Sequence, residues 1–518
     1  MNITTYQKRS ITIAGLPFIW SALCLLVISG CQAGSEQQQD TKAGPPNIVY
    51  ILADDLGYGD VGAYGQEKIK TPNIDRMAAE GMRFTQHYAG STVCAPSRSV
   101  FLTGLHTGHT PIRGNKEIMP IGQEPIPEKY KTVAEVLKEA GYVTGAFGKW
   151  GVGYPGSEGA PSNQGFDYFF GYNDQRRAHF YYPEFLFKEQ AGQAAERVPL
   201  EGNKVRDTST PNFQHPGAGP PKKRGTYSQD AIMEEALAFI DKQAGGKQPF
   251  FAYLPLNLPH ASLTVPQSAM EPYLDEEGNS IFEEKPFPGS GYTKQSKPRA
   301  TYAAMVTLLD DYTGQVIQKL RERGIAKNTL VIFTSDHGPH EEGGNNPAFF
   351  NSNGPFRGIK RDLYEGGIRV PMIAWWPGEI EAGTTSGHIS AFQDMMPTFA
   401  DLSGAEPSQT DGISMAPTLT GEKEQPKHDY LYWEFPIAGG KQAVRKGDWK
   451  GLRLGVRDNP DAPVELYNLK EDPAEEHNVA EEYPEKVEQM KKIMEQAHRP
   501  SELFPLFSTE VSGKRTSE

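Results

Sequence analysis

Acidic residues follow two of the most apolar stretches of this chain. Asp54 and Asp55 come directly after the run NIVYILA, and Asp336 with His337 comes just after the run TLVIFT. Carboxylate oxygens are the ligands that hard cations such as Ca²⁺ prefer. Taken singly, such residues are ordinary turns, caps or solvated side chains. Together they predict a metal site ringed by cationic donors, as a tetrahedral oxyanion requires, and the donors are Arg98, Lys149, His260 and Lys360.

A solitary thiol raises a second question. The chain of 518 residues contains three cysteines, and two of them, Cys24 and Cys31, lie in an N-terminal segment that we expect to be removed or lipidated. Cys94 is then the remaining thiol, which excludes a disulfide framework. The sequence context of Cys94, in the stretch CAPSRSVFLTG, must therefore explain what the thiol does.

Strands and helices in alternation must position these residues. Apolar runs at residues 47–53, 142–147, 249–254 and 329–334 are typical of buried parallel strands, and amphipathic stretches at 132–140, 228–243 and 301–323 are typical of helices. The alternation predicts an α/β fold with a large mixed, mostly parallel sheet flanked by helices. Its site is expected at the carboxyl ends of the strands.

Two further segments depart from this alternation. Residues 184–226 are rich in Pro, Gly and charge, and we predict a long surface excursion near the site.

Shorter strand-like pieces begin near residue 430, and an amphipathic helix at 485–497 follows them. We therefore predict a catalytic domain over residues 45–425 and a C-terminal subdomain, residues 426–518, made of a small antiparallel sheet and a helix.

The N-terminus has the pattern of a secretory signal. Two basic residues precede a long apolar run that ends in ISGC. This end resembles a bacterial lipobox, in which Cys31 is acylated; the alternative is a retained anchor, which a proline and a glycine inside the run disfavour. We predict a lipoprotein signal peptide over residues 1–30 and a flexible tether over 31–44. The protein is then an exported bacterial lipoprotein, periplasmic or outer-membrane associated, that contacts the membrane through its lipid.

The net charge of the chain limits its partners. A formal charge of −13 argues against binding nucleic acid or another polyanion across the whole surface. An anionic substrate must instead be met locally, by clustered basic side chains. We therefore expect no nucleic-acid partner, and we favour chain ends or short oligosaccharides over long anionic polymers.

The stretch around Cys94 carries a resemblance to a known family. CAPSR followed by LTG resembles the Cys-x-Pro-Ser-Arg plus Leu-Thr-Gly signature of the formylglycine-dependent sulfatases, within the alkaline phosphatase superfamily. Further similar stretches, spread over residues 46–490, are NIVYILADDLGYGD, TPNID, GKW, LPH, TSDHG, EGGIRVP and ELYNLKEDPAEEHN. The resemblance implies an alkaline phosphatase-like fold and an arylsulfatase-like sulfuric ester hydrolase.

The resemblance also implies what the thiol is for. In this family the cysteine is oxidised during export, by a formylglycine-generating enzyme, to formylglycine (3-oxoalanine), and a hydroxyl of its hydrate attacks sulfur. Pro96 suits the first turn of a helix, whose free N–H groups favour an anion. The resemblance implies one calcium ion, with the ligands Asp54, Asp55, residue 94, Asp336 and His337. Many relatives have Asn where this chain has His337.

The basic residues receive roles from the same resemblance. Arg98 is expected to hold a hydroxyl of the hydrate. Lys149 and Lys360 are expected to bind the sulfate and neutralise its oxygens as charge moves to the leaving group. His260, which also contacts the substrate, is the candidate for protonating the leaving alcohol.

One departure from the family pattern affects proton transfer. Gly151 stands where relatives often have a histidine that handles the protons of the hydrate. Either Asp336 or water then removes the proton, or a histidine from elsewhere fills the space. Residues 165–183 offer His179 for this, together with two candidate substrate contacts, Arg176 and Arg177; a solvated, aromatic-rich loop is the alternative.

Three functions remain open at this point. The first is an exported sulfatase that acts on sulfated carbohydrates. The second is a phosphoester or phosphonate ester hydrolase with the same modified residue, since tetrahedral phosphoryl groups make similar demands. The third is a glycan-binding surface lipoprotein without turnover, which would follow if Cys94 were never oxidised.

Overall fold

The computed structural model describes residues 44–205 and 216–510. The predicted signal peptide, the lipid-bearing Cys31 and all of the tether before Gly44 lie outside these residues. From Gly44 onward the chain belongs to one compact unit. In the part of the chain that is described, no helix combines the length and the apolar character needed to cross a membrane.

A large mixed sheet forms the centre of this unit. The strands up to residue 391 are, in chain order, β1 (Asn47–Asp54), β2 (Met82–Tyr88), β3 (Val143–Lys149), β4 (Tyr168–Tyr172), β5 (Phe185–Gln190), β6 (Glu196–Pro199), β7 (Lys204–Val205), β8 (Pro221–Lys223), β9 (Phe250–Pro259), β10 (Thr329–Ser335), β11 (Arg369–Trp375), β12 (Thr384–Ser386) and β13 (Ser390–Ala391). Among the described residues, all except the β7–β8 pair join the large sheet, in the order β12–β2–β11–β10–β1–β9–β3–β4–β5–β6, with β13 beside β2.

Helices cover both faces of this sheet. In chain order, the α-helices of the described residues are α1 (Pro72–Glu80), α2 (Cys94–Thr103), α3 (Val133–Glu139), α4 (Ser228–Ala244), α5 (Pro298–Glu322), α6 (Pro347–Phe350), α7 (Glu365–Ile368), α8 (Met395–Ser403), α9 (Ala416–Thr420) and α10 (Pro484–Ala497). Strand β1 packs its alternate residues into two cores, Val49 and Ile51 with α1, α4 and α5, and Ile48 and Tyr50 with α2, α3 and α8. A strand buried on both faces is apolar throughout, which explains its continuous hydrophobic run.

The parallel register of the central strands brings their carboxyl ends together. Strand β1 runs parallel to β10 on one side and to β9 on the other, so that Ala53 lies opposite Ser335 and Asp54 opposite Pro259. Strand β3 is in turn parallel to β9. The residues that follow these four strands therefore share one edge of the sheet.

The predicted α/β fold is confirmed, and one segment differs from the prediction. Residues 184–226 begin with two antiparallel strands, β5 and β6, which extend the large sheet. Leu186 and Phe187 are buried there, because their side chains pack into the two cores of the sheet. The expectation of a surface excursion was wrong for this part, and residues 206–215 lie outside the described chain.

The predicted small antiparallel sheet is present near the C-terminus. It consists of β14 (Leu431–Phe435), β15 (Lys441–Lys446), β16 (Trp449–Leu454) and β17 (Val464–Asn468), and α10 packs on it. A buried ion cluster links this sheet to the large one. Lys450 Nζ lies 2.9 Å from Glu365 Oε1 and 2.9 Å from Glu475 Oε1, and the three side chains are fully buried. The boundary at residue 426 stays a prediction.

Candidate active site

Four neighbouring strands deliver the predicted site residues to one place. Asp54 ends β1 and Asp55 follows it, Asp336 and His337 follow β10, His260 follows β9, and Lys149 ends β3. The carboxylates of Asp55 and Asp336 are held close because the Asp55 N–H donates to Asp336 Oδ1 at 3.1 Å. Asp55 has a left-handed backbone with a φ of 69°, a conformation that Asp tolerates better than most residues.

The acidic residues form a potential cation site. Two overlapping groups have ligand atoms that all lie within 4.8 Å of one another: Asp54, Asp55, Cys94 and His260, and Asp54, Cys94, Asp336 and His337. Asp54 Oδ1 and Asp55 Oδ1 are both buried, and Asp54 Oδ1 has no hydrogen-bond partner among the described residues. His337 Nε2 lies 2.9 Å from that Asp55 oxygen. Three carboxylates and one imidazole thus fit a hard divalent cation.

Three basic side chains neutralise the same carboxylates. Lys149 Nζ lies 2.6 Å from Asp54 Oδ2. Lys360 Nζ lies 2.7 Å from Asp55 Oδ2. Arg98 is 3.0 Å from Asp336 Oδ2 and 3.6 Å from Asp54 Oδ1, and it also donates to the Lys149 carbonyl. Both oxygens of Asp336 accept a hydrogen bond, and its role as the base that removes the proton of the hydrate stays a prediction.

Cys94 sits between these groups at the first residue of α2. Its Sγ is 3.3 Å from Lys149 Nζ and 3.5 Å from His337 Nε2, and the side chain is buried. The N–H groups of the first helical turn favour an anion here. A nucleophile at residue 94 would therefore face the metal ligands and one of the two lysines.

Burial shifts the pKa values of the ionisable groups in this site. It raises the pKa of the Asp54 carboxyl to about 6, although Lys149 opposes the shift. Burial also disfavours the charged form of His337, but Asp336 and Asp55 outweigh it and hold the pKa of His337 well above its ordinary value. A cation bound to these oxygens would compete with that proton, because a ligating imidazole must be neutral.

Three imidazoles form a row next to Asp55, from which His260 Nε2 is 3.5 Å away. His260 stacks on His179, with ring centroids 4.6 Å apart, and on His340 at 5.8 Å. Burial lowers the pKa of His260 and of His179 well below the ordinary value. His260 Nε2 lies 3.2 Å from Lys360 Nζ. The candidate acid is thus next to a candidate sulfate-binding lysine.

The space beside Gly151 is filled by a side chain that the sequence did not indicate. Gly151 has a φ of 77°, and a Cβ atom there would lie 2.1 Å from Gln175 Nε2. Gln175 is buried, and its Oε1 has no hydrogen-bond partner among the described residues. His179 stacks on His260 instead. Gln175, rather than a histidine, therefore occupies the position that a side chain at 151 would take.

The two arginines of the same loop behave differently. Arg177 is fully buried and donates to the carbonyl oxygens of Phe185 and Pro216. This is a structural role, so the predicted substrate contact is wrong for Arg177. Arg176 is more than a third exposed and pairs with Glu117 at 3.2 Å. Its substrate contact stays a prediction.

Sequence reasoning missed several neighbours of the site. Besides Gln175 and His340, Glu342 accepts a hydrogen bond from Lys360 at 3.0 Å and one from Arg361. The polar run HEEGG, directly after TSDHGP, was a signal for Glu342. The sequence offered no comparable indication for Gln175, because its contact with Gly151 joins residues of two different loops.

The match to a family model agrees with this geometry. Residues 46–405 match the sulfatase family, and residues 357–500 match the C-terminal region described as N-sulphoglucosamine sulphohydrolase. The chain belongs to the sulfatase family, in the alkaline phosphatase superfamily. It is therefore a sulfuric ester hydrolase, and this family disfavours the phosphoester alternative. The alternative of a glycan-binding protein without turnover depends on an unmodified Cys94, which the mass measurement proposed below tests.

Individual relatives span most of this chain. Arylsulfatase A of Homo sapiens is 32% identical over 87% of this chain and 87% of its own length. N-acetylgalactosamine-6-sulfatase of Canis lupus familiaris is 32% identical over 78% of this chain and 70% of its own. The solved structure of Ps i-CgsB in complex with k-i-k-neocarrahexaose is 28% identical, with a TM-score of 0.71 over 90% of this chain and 96% of that one.

The packing of Gln175 against Gly151 gives a first prediction. Gly151→Ala should lower the melting temperature, because a left-handed non-glycine residue costs about 1–3 kcal/mol and the new Cβ must also displace Gln175. Gly192→Ala is the matched control, since Gly192 has a φ of 78° and nothing within 4 Å of an added Cβ. Equal losses in the two variants, measured by thermal unfolding, would show that Gln175 does not constrain residue 151.

Proposed function

We propose that this protein is an exported sulfatase that hydrolyses sulfate esters of carbohydrates through a formylglycine made from Cys94, with one calcium ion. The main support for this proposal is the position of Cys94. Its Sγ lies at the start of α2, within 3.5 Å of both Lys149 Nζ and His337 Nε2. The carbohydrate class is supported by two relatives, whose names specify N-acetylgalactosamine 6-sulfate and a carrageenan oligosaccharide.

Residue 94 carries the reactive group in this proposal. As an aldehyde hydrate it supplies one hydroxyl as nucleophile and a second that allows sulfate to be expelled, which a thiol lacks. A formylglycine-generating enzyme or its equivalent must then act on Cys94 during export, before the side chain becomes buried in the folded protein.

The surrounding residues bind the sulfate and move protons. Lys149 pairs with Asp54 and Lys360 with Asp55, and each can neutralise a sulfuryl oxygen. Arg98 anchors the carboxylates and so fixes their positions. His260 protonates the leaving alcohol once the charge of the bound sulfate offsets the burial that lowers the pKa of His260. Water or a neighbouring group then removes the proton of the second hydroxyl on residue 94, so that the C–O bond to sulfate breaks and the aldehyde is restored.

Calcium is the proposed ion because the donors are mostly carboxylate oxygens. Asp54, Asp55 and Asp336 would hold it with His337, and Asp54 Oδ1 and Asp55 Oδ1, which face Arg98 and His337, supply anionic ligand positions. When bound, the ion would polarise the sulfate and offset the charge of the nucleophile.

Export and lipidation remain part of the proposal. They rest on the signal pattern and on Cys31, in the segment before Gly44. The lipoprotein would be periplasmic or outer-membrane associated. Oxidation of Cys94 during export is consistent with that route.

Changes at residue 94 test the nucleophile. Cys94→Ala should abolish turnover of 4-nitrophenyl sulfate and leave the melting temperature nearly unchanged. Cys94→Ser should also fail, because a single hydroxyl can be sulfated but cannot expel the sulfate. Mass spectrometry of the parent should show the peptide containing residue 94 at the mass of the aldehyde. Sustained turnover by either variant would contradict the mechanism.

Removal of the cation tests the metal assignment. Exhaustive chelation should reduce both activity and melting temperature, since the ion binds the native state and cancels repulsion among Asp54, Asp55 and Asp336. Added Ca²⁺ should restore both. If neither the rate nor the melting temperature changes on chelation, the three carboxylates do not hold a metal.

The role of His260 predicts a dependence on the leaving group. His260→Ala should slow hydrolysis of a sugar sulfate by about 10² to 10⁴, the usual contribution of a general acid. The loss should be much smaller for 4-nitrophenyl sulfate, because nitrophenolate leaves without a proton. An equal loss for both substrates, measured as kcat, would assign His260 to binding or structure instead.

A further inference from the structure

The buried site is bordered by a rim that faces solvent. Asp54, Asp55 and His260 are almost completely buried, so a substrate must approach past neighbours that are only partly covered. Three such neighbours lie next to His260 and Lys360. We use the name outer rim for Tyr292, Glu342 and Arg361.

Tyr292 presents an aromatic ring next to the candidate acid. Its ring centroid is 5.4 Å from that of His179 and 6.4 Å from that of His260, and the ring is half-buried. The loop that carries it is fixed to the chain just after β9, because the Thr293 N–H donates to Ser262 Oγ at 2.9 Å. Tyr292 therefore has a defined position beside the group that must meet the leaving alcohol.

Arg361 is held in a strained backbone conformation. Its φ is 79°, a left-handed conformation that strains a non-glycine residue and persists where the surroundings enforce it. The Arg361 N–H donates to the Thr92 carbonyl at 3.0 Å, and its own carbonyl accepts from Lys441 Nζ at 2.7 Å. The guanidinium pairs with Glu342, and half of the side chain is exposed. A charged donor is thus presented to solvent one residue after Lys360.

We propose that Tyr292 and Arg361 form the subsite for the sugar ring that bears the scissile sulfate. The leaving oxygen must reach His260, so the attached ring has to lie over the outer rim. Tyr292 packs against the apolar face of the sugar, and Arg361, oriented by Glu342, binds a second anionic substituent such as another sulfate or a carboxylate. The preferred substrate class is then a saccharide with more than one acidic group. This inference rests on the proposed function.

Steady-state kinetics with two types of probe test the subsite. Carrageenan oligosaccharides and N-acetylgalactosamine 6-sulfate serve as saccharide substrates. Inorganic sulfate serves as a competitive inhibitor, and its inhibition constant measures binding to the buried sulfate site without the outer rim. Tyr292→Ala should raise KM for the better saccharide by about tenfold, which corresponds to the loss of an aromatic contact of about 1.4 kcal/mol. Tyr292→Phe should retain the parental KM. The inhibition constant of sulfate should stay within about twofold, because a small anion does not reach the rim.

The variant Arg361→Gly distinguishes a role of Arg361 in substrate binding from a role in folding. Glycine adopts a φ of 79° without strain, so this variant should melt no lower than the parent. It should nevertheless lose the preference for saccharides with a second acidic group, whereas Arg361→Lys should keep part of it. Retention of the full preference by Arg361→Gly would overturn the assignment of Arg361.

The failures of the two proposals are distinguishable. An unmodified residue 94 and no hydrolysis of 4-nitrophenyl sulfate would refute the proposed function itself. If the parent hydrolyses 4-nitrophenyl sulfate but no saccharide, or if Tyr292→Ala leaves the saccharide KM unchanged, the subsite is wrong and the sulfatase mechanism stands. A parallel rise in the sulfate inhibition constant would assign Tyr292 a structural role.

Discussion

The repulsion among three buried carboxylates is the constraint on which this structure depends. Like charges about 4 Å apart repel by about 4 kcal/mol even at an effective dielectric constant of 20, and burial adds a desolvation cost. The chain compensates with Lys149, Lys360 and Arg98, each of which comes from a different element. The parallel register of the central strands has to be kept, since a shift of one residue would separate the charges from their partners.

Most of the buried site was predictable because it follows directly from strand ends. Asp54, Asp336 and Lys149 each end or follow an apolar run, and parallel strands place such residues at one edge whatever the rest of the chain does. The bounds of the predicted strands and helices also lie close to the bounds in the structure. For the strands, the reason is that residues buried on both faces produce unbroken apolar runs.

The parts that were not predictable depend on contacts between loops. Gln175 reaches Gly151 across 24 residues of sequence, and Tyr292 reaches His260 through a loop held at Ser262. Neither contact produces a periodic pattern. Arg177 was misassigned for a related reason. Two adjacent arginines look equivalent in the sequence, but in the structure the side chain of Arg177 is buried whereas that of Arg176 is partly exposed. Residues 185–199 were misjudged because charged residues obscured the alternation of edge strands.

The ion cluster of Glu365, Lys450 and Glu475 limits how this enzyme can be re-engineered. Glu365 precedes β11 of the large sheet, whereas Lys450 and Glu475 belong to the C-terminal part of the chain. A charge left unpaired in such a cluster costs about 3–5 kcal/mol. Grafting a C-terminal region from another sulfatase onto this catalytic core would therefore require a cation in place of Lys450 beside the buried Glu365. The C-terminal sheet is consequently an integral part of the enzyme and not an exchangeable module.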